Sequence, residues 1–129
     1  GIDLEQYPCV DVREYIYDMP VVLSAADVML SRAGASTISE ISAIACPSIL
    51  VPSPNVTANH QEKNARVLSD RGAAKLMLEP DCTGDSLYQQ VQAMLADVQG
   101  LDAMSRELKA MAVIDANERI YQVLLALMK

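Results

Sequence analysis

Short apolar runs alternate along this chain with longer segments whose apolar residues recur every three or four positions. The short runs predict four strands, over residues 9–12, 27–31, 48–51 and 73–78. The longer segments predict helices, because the apolar residues of each would share one helical face. These predicted helices cover residues 19–26, 36–45, 59–71, 85–98, 101–113 and 117–128. Apolar strands alternating with helices are typical of a parallel sheet covered by helices on both faces. The predicted fold class is therefore α/β, a Rossmann-like sheet with a helical C-terminal part.

The length and composition of the chain predict a single domain with an aliphatic core. The chain has 129 residues, of which 51% are hydrophobic, and it contains no Phe or Trp. Ile, Leu, Val, Met and Ala must therefore fill the interior. A methionine row at helical spacing is far more often core than a binding surface. The methionines on or beside the C-terminal stripes are accordingly expected in the core; they are Met94, Met104, Met111 and Met128.

Charge and cysteine usage exclude several classes of function. The formal net charge is −7 and no Lys/Arg-rich run occurs, which argues against a nucleic-acid partner. Three widely spaced cysteines favour free thiols in a reducing cytosol over a disulfide framework or a zinc site. With a single histidine, no Walker motif and no GxGxxG, the sequence predicts no metal site and no bound cofactor. The serines near Gly34 have no local histidine to act as a base.

The segment 31–40 is the strongest candidate for ligand binding. Small residues, Gly34 to Thr37, join a predicted strand to a predicted helix. The exposed N–H groups of such a helix start favour an anion, and the carboxylate of Glu40 could accept hydrogen bonds from a ribose diol. These residues together suggest a nucleotide. An ordinary capped helix with a solvated Glu near its start explains the segment equally well.

A second candidate follows the third predicted strand, at Asn59, His60 and Gln61. Amide and imidazole groups at the start of a helix can bind sugar hydroxyls or phosphates. The residues alone favour a plainer interpretation, in which Asn59 caps the helix and His60 and Gln61 are solvated first-turn residues.

A family resemblance narrows these alternatives. The chain closely resembles the MurG-type transferases, which move N-acetylglucosamine from UDP-N-acetylglucosamine (UDP-GlcNAc) to the lipid-linked muramoyl pentapeptide of peptidoglycan synthesis (lipid I). The similarity covers about residues 9 to 80 in order. It is carried by Tyr15-Ile-Tyr-Asp-Met19, Ala26-Asp27, Ser31-Arg-Ala-Gly-Ala-Ser-Thr37, Glu40-Ile41, Pro47, Val51-Pro52, Asn59-His-Gln61, Asn64-Ala65 and Gly72-Ala-Ala74.

The resemblance implies a GT-B architecture of two Rossmann-like domains, with residues 1–129 forming most of the C-terminal, donor-binding domain. It also implies the site residues. Ile16 would meet the uracil edge through its backbone. Ala35, Ser36 and Thr37 would face the phosphates and the ribose, and Glu40 would hold the ribose hydroxyls. His60 and Gln61 would read the donor sugar, although the family often has Gln where this chain has His60.

Further expectations follow from departures from the family pattern. Ala45 stands where the family usually has Gly, so a left-handed helix end there would be strained by about 1 kcal/mol. The glycine-rich phosphate loop, with its strand and helix, and the N-terminal acceptor domain are missing from this sequence. The missing domain would contact lipid I and the cytoplasmic face of the bacterial membrane, so this chain alone is expected to be inactive. A sheet edge left open could drive self-association.

Two rival interpretations stay open from the sequence alone. The chain could belong to another GT-B UDP-sugar transferase or to one subunit of a split transferase. It could also be a non-catalytic α/β domain for protein interaction.

Overall fold

A computed structural model describes residues 1, 3–56 and 59–128 of the chain. Three short parallel strands form its sheet in the order β1-β2-β3. Leu30 pairs with Ile49, and Ile49 pairs with Lys75. The strands are β1 (Met29–Ser31), β2 (Ser48–Leu50) and β3 (Lys75–Leu76). The helices are α1 (Met19–Ala25), α2 (Ala35–Ile44), α3 (His60–Asp70), α4 (Gly84–Ala96), α5 (Val98–Met111) and α6 (Ala116–Leu127), with 3-10 turns at Leu4–Gln6 and Glu79–Asp81.

This architecture confirms the predicted α/β class and the helical C-terminal part. Helices α2 and α3 connect successive parallel strands, as the alternating pattern predicted. Pro20 lies in the first turn of α1, where its missing N–H leaves no hydrogen bond unmade. Gly72 follows α3 with φ of 72°, so the helix ends where a residue without Cβ can turn the chain.

The core lies between the sheet and the helices α2, α3, α4 and α5. It contains no aromatic side chain, as predicted from the composition. Met94 and Met104 are buried and Met111 packs against the core, which confirms the interpretation of the methionine row for these three. The largest fully buried apolar side chains are Ile41, Ile49, Leu50, Leu68 and Leu108.

The strand predicted over residues 9–12 is wrong. These residues form no described ladder, and Val10 and Val12 are 46% and 66% exposed. Within the described residues the sheet begins at β1, whose only hydrogen-bonded neighbour is β2. An extended segment becomes a strand only when a neighbour pairs with its backbone, and an apolar pattern does not reveal whether one does.

Helix α6 was predicted correctly as a helix but wrongly as a contributor to the core. Every described residue from Ala116 to Met128 is exposed, and Met128 keeps 83% of its accessible surface. Helical spacing reports which residues share a face, but it does not say whether that face is covered. In the part of the chain that the structure describes, no helix is both long and apolar enough to span a membrane.

The end of α2 has the left-handed geometry that the sequence predicted to be strained. Ala45 has φ of 61° and ψ of 39°, and its N–H donates to the carbonyl oxygens of Ile41 and Ser42. Cys46 N–H donates to Ile41 O at 3.2 Å. The hydroxyl of Ser105 on α5 donates to Ala45 O at 2.9 Å, so tertiary packing holds this turn in place.

Candidate functional site

The two candidate segments meet beyond the carboxyl ends of β1 and β2. The chain leaves β1 at Ser31 and enters α2 four residues later, and it leaves β2 at Leu50 on its way to α3. Adjacent parallel strands end at the same edge of a sheet, so both connections lie on one side of the molecule. This edge is where ligands bind in open sheets of this kind.

The start of α2 presents backbone N–H groups that the protein leaves without an acceptor. Gly34 occupies the N-cap position with φ of −67° and ψ of 152°, and it has no side chain with which to cap the helix. The first amide of this helix with a described acceptor is that of Ile38, which donates to Gly34 O at 3.0 Å. Within the described residues, the amides of Ala35, Ser36 and Thr37 have no partner, which makes this helix start suited to an anion.

Glu40 stands on α2 one turn after Ser36. Residues four apart lie on one side of a helix, so Glu40 shares a face with Ser36 and lies next to Thr37. Its side chain is exposed, and its carboxylate has no hydrogen bond or ion pair among the described residues. It is therefore open to hydroxyl donors of a ligand. The roles expected for Ala35, Ser36, Thr37 and Glu40 remain predictions.

Gln61 is not the solvated first-turn residue that the residues alone favoured. Its side-chain oxygen Oε1 accepts hydrogen bonds from Ala33 N at 3.3 Å and from Ser53 N at 2.9 Å. Ala33 follows β1 and Ser53 follows β2, so one amide oxygen joins the two loops of the site. The side-chain nitrogen Nε2 has no described partner and remains available as a donor.

The expectation that Asn59 caps α3 is also wrong. Asn59 is in the left-handed region, with φ of 52°, and its side chain makes no cap hydrogen bond. Its Nδ2 donates to Glu62 Oε2 at 2.7 Å, and Arg66 donates to Glu62 Oε1. The bond from Asn59, followed by that from Arg66, holds the pKa of the half-buried Glu62 carboxyl below its ordinary value. His60 is exposed in the first turn of the helix, beside Gln61.

Two further residues shape the site, although the sequence analysis gave neither of them a role. Asn64 Nδ2 donates to Ala33 O at 3.2 Å. The guanidinium of Arg32 donates to Val51 O at 3.3 Å and forms an ion pair with Glu79 at 3.1 Å, which links the ends of all three strands. Two signals were available: both residues lie in segments that carry the family resemblance, and Asn64 follows Gln61 by three residues, on the same face of α3.

Ile16 lies in the segment before α1. It is half-buried in the wall of a cavity of about 490 Å³ that is lined also by Asp11, Val12, Arg13 and Val22. No hydrogen bond described in the structure links Ile16 to α2 or α3. Within residues 1, 3–56 and 59–128, no three His, Cys, Asp or Glu side chains come together in a way that could hold a metal ion.

Comparison with known proteins identifies a matching family and similar sequences. Residues 2–120 match the glycosyltransferase family 28 C-terminal domain. The chain is 43% identical over 122 residues to the UDP-N-acetylglucosamine–N-acetylmuramyl-(pentapeptide) pyrophosphoryl-undecaprenol N-acetylglucosamine transferase of Acetivibrio thermocellus, covering 95% of this chain and 33% of that protein. The corresponding transferase 1 of Bacillus cereus is 44% identical over 118 residues, covering 92% of this chain and 32% of that protein.

A solved structure agrees with these matches. The crystal structure of Acinetobacter baumannii MurG superimposes with a TM-score of 0.81 at 30% sequence identity. The match covers 90% of this chain and 33% of that one. The chain thus spans about a third of the length of the relatives it matches.

Proposed function

Because this chain belongs to the glycosyltransferase family 28 C-terminal domain family, we propose that it binds the sugar-nucleotide donor of a peptidoglycan transferase. The full enzyme would move GlcNAc from UDP-GlcNAc to lipid I. The observation that carries the proposal is the uncapped start of α2 at the carboxyl ends of the strands, with the unpaired carboxylate of Glu40 one turn away. Identity of 43–44% to transferases named for this reaction supports the choice of donor and acceptor.

The proposed context is a GT-B enzyme in which residues 1–129 form most of the C-terminal domain. The remaining two thirds of such a protein would supply the acceptor-binding domain, and we refer to the whole as the complete transferase. It would act at the cytoplasmic face of the bacterial membrane, where the acceptor-binding domain would meet lipid I.

In this proposal each site residue has a separate task. The free amides of Ala35, Ser36 and Thr37 bind the diphosphate and stabilise the UDP that departs, because a helix start favours negative charge. Glu40 accepts hydrogen bonds from the ribose hydroxyls, and the backbone of Ile16 meets the uracil edge. His60 and Gln61 read the sugar; Gln61 does so through Nε2, since its Oε1 already accepts two backbone N–H groups.

The reaction in the complete transferase is a direct displacement at the anomeric carbon with inversion. A general base removes the proton of the muramoyl hydroxyl as its oxygen attacks, and the bond to the diphosphate breaks. The residues assigned here hold and orient the donor, and the base belongs to the acceptor-binding domain.

Replacement of Glu40 tests the proposal. In the complete transferase, Glu40→Ala removes a charge-assisted acceptor. UDP binding should weaken by about 1.5–3 kcal/mol, which raises the dissociation constant by a factor of roughly 10 to 150. Calorimetry with UDP and the Michaelis constant for UDP-GlcNAc measure the effect. Glu107→Ala is the matched control, because Glu107 is another exposed helical carboxylate without a described partner. Unchanged binding and turnover in Glu40→Ala would overturn the assignment.

A further inference from the structure

Two side chains of α3 form hydrogen bonds to the short segment between β1 and α2. Ala33 is fully buried, so both its N–H and its C=O need hydrogen-bond partners inside the protein. Gln61 Oε1 accepts from Ala33 N at 3.3 Å, and Asn64 Nδ2 donates to Ala33 O at 3.2 Å. Gln61 and Asn64 therefore supply the hydrogen-bond partners of both the N–H and the C=O of Ala33.

These two hydrogen bonds set the direction in which α2 begins. Ala33 immediately precedes Gly34, the N-cap residue of α2, and Gly34 offers no side chain to fix the turn. The backbone of Ala33 is thus the last anchored point before the free amides of Ala35, Ser36 and Thr37. A small rotation at Ala33 would change where those amides point, and hydrogen bonds to an anion depend steeply on angle.

We propose that Asn64 is a positioning residue for the donor diphosphate, acting through Ala33 rather than by contact with the ligand. The inference rests on the proposed function, since it assumes that the start of α2 receives the phosphates. Preorganised donors bind a charged group without a cost for reorienting when the ligand arrives. Loss of the Asn64 bond should therefore affect ligands that carry phosphate and spare those that do not.

The comparison of UDP with uridine isolates this effect. In the complete transferase carrying Asn64→Ala, we expect the dissociation constant of UDP to rise about tenfold, the value of one hydrogen bond to a buried group. The dissociation constant of uridine, measured by ligand-observed NMR, should change less than about twofold, because Ile16 and Glu40 do not depend on this bond. Asn64→Leu keeps the approximate shape, removes the donor and adds no charge, so it should act in the same direction. Asn117→Ala, on the exposed first turn of α6, is the control and should change neither ligand.

The outcomes separate the inference from the function on which it rests. If the unaltered enzyme does not bind UDP more tightly than uridine, the proposed function fails. If it does, and Asn64→Ala and Asn64→Leu retain the same ratio of UDP to uridine affinity, Asn64 does not position the phosphate site. Equal losses of both ligands together with a lowered Tm would mean a general structural role and would overturn the inference. If Asn64→Ala does not fold, the ratio measured for Asn64→Leu decides.

Discussion

At the scale of single residues, the two polar atoms of the Gln61 side-chain amide have different surroundings. Its oxygen is committed to two backbone N–H groups, from loops that follow different strands. Its nitrogen has no described partner. A ligand hydroxyl that meets Gln61 must therefore accept a hydrogen bond from it rather than donate one.

This difference allows the sugar contact to be removed while the loop contact is kept. Gln61→Glu retains an oxygen for Ala33 and Ser53 but loses the Nε2 donor. The added negative charge weakens the binding of UDP and of UDP-GlcNAc alike, because both ligands carry the diphosphate. We therefore expect the affinity of UDP-GlcNAc relative to UDP to fall by about five- to tenfold, the value of one hydrogen bond.

Calorimetry with both ligands on the complete transferase measures this ratio. Gln61→Ala, which removes the oxygen as well, should lower UDP affinity in addition, although UDP-GlcNAc should still lose more. Equal losses of the two ligands in both variants would show that Gln61 does not read the sugar.

The exposed position of Glu40 on the start of α2 followed from helical spacing, which is a local property of the sequence. The contacts of Gln61, Asn64 and Arg32 did not. These contacts join residues 8 to 47 positions apart, and neither periodicity nor composition says which backbone group a polar side chain will meet. The types of the site residues could thus be predicted, whereas their internal partners required the fold.

At the scale of elements, α2 has opposite requirements at its two ends. Its start leaves amides free, which favours ligand binding over helix stability. Its end is closed by hydrogen bonds to Ala45 and Cys46, but Ala45 must adopt a conformation that its Cβ disfavours. The stability of this helix is therefore limited at its C-terminal turn by one methyl group.

Ala45→Gly should relieve that strain. Glycine takes positive φ without a steric cost, and this gain should exceed the lost methyl contact and the greater freedom of the unfolded chain. We expect the free energy of unfolding to rise by about 0.5–1 kcal/mol, measured by urea denaturation.

The control for this variant is Ala65→Gly in the interior of α3, where Ala65 is also fully buried. That change should lower stability by about 1 kcal/mol or more, since glycine is unfavourable inside a helix. A decrease in stability for Ala45→Gly would show that packing around the methyl group outweighs the backbone strain.

Helices were more predictable than strands for a physical reason. A helix satisfies its hydrogen bonds within one segment, so the periodic pattern placed all six helices to within a few residues. A strand depends on neighbours elsewhere in the sequence. The apolar alternation at residues 9–12 resembled a strand, but no described strand pairs with it.

At the scale of the whole molecule, the roles that we propose for the site residues concern the donor alone. The chain matches about a third of the length of its relatives. Transfer requires donor, acceptor and base in one geometry, which alone can contribute several kcal/mol to catalysis.

The 129-residue chain by itself should accordingly show no transferase activity and at most weak UDP binding. An assay with UDP-GlcNAc and a lipid I analogue, compared with a no-protein blank, measures this. Turnover that disappears in Glu40→Ala would contradict the expectation and mean that the domain carries its own base.

The Arg32 bridge has a consequence for the order in which the site is completed during synthesis. Its ion pair to Glu79 joins residues 47 positions apart, and the bonds of Ala33 to Gln61 and Asn64 span 28 and 31. A nascent chain that has released only β1 and α2 from the ribosome lacks every one of these partners. The loop before α2 therefore reaches its final shape only after α3 and the turn at Glu79 have emerged, so the edge at the start of α2 matures late and as one cooperative unit.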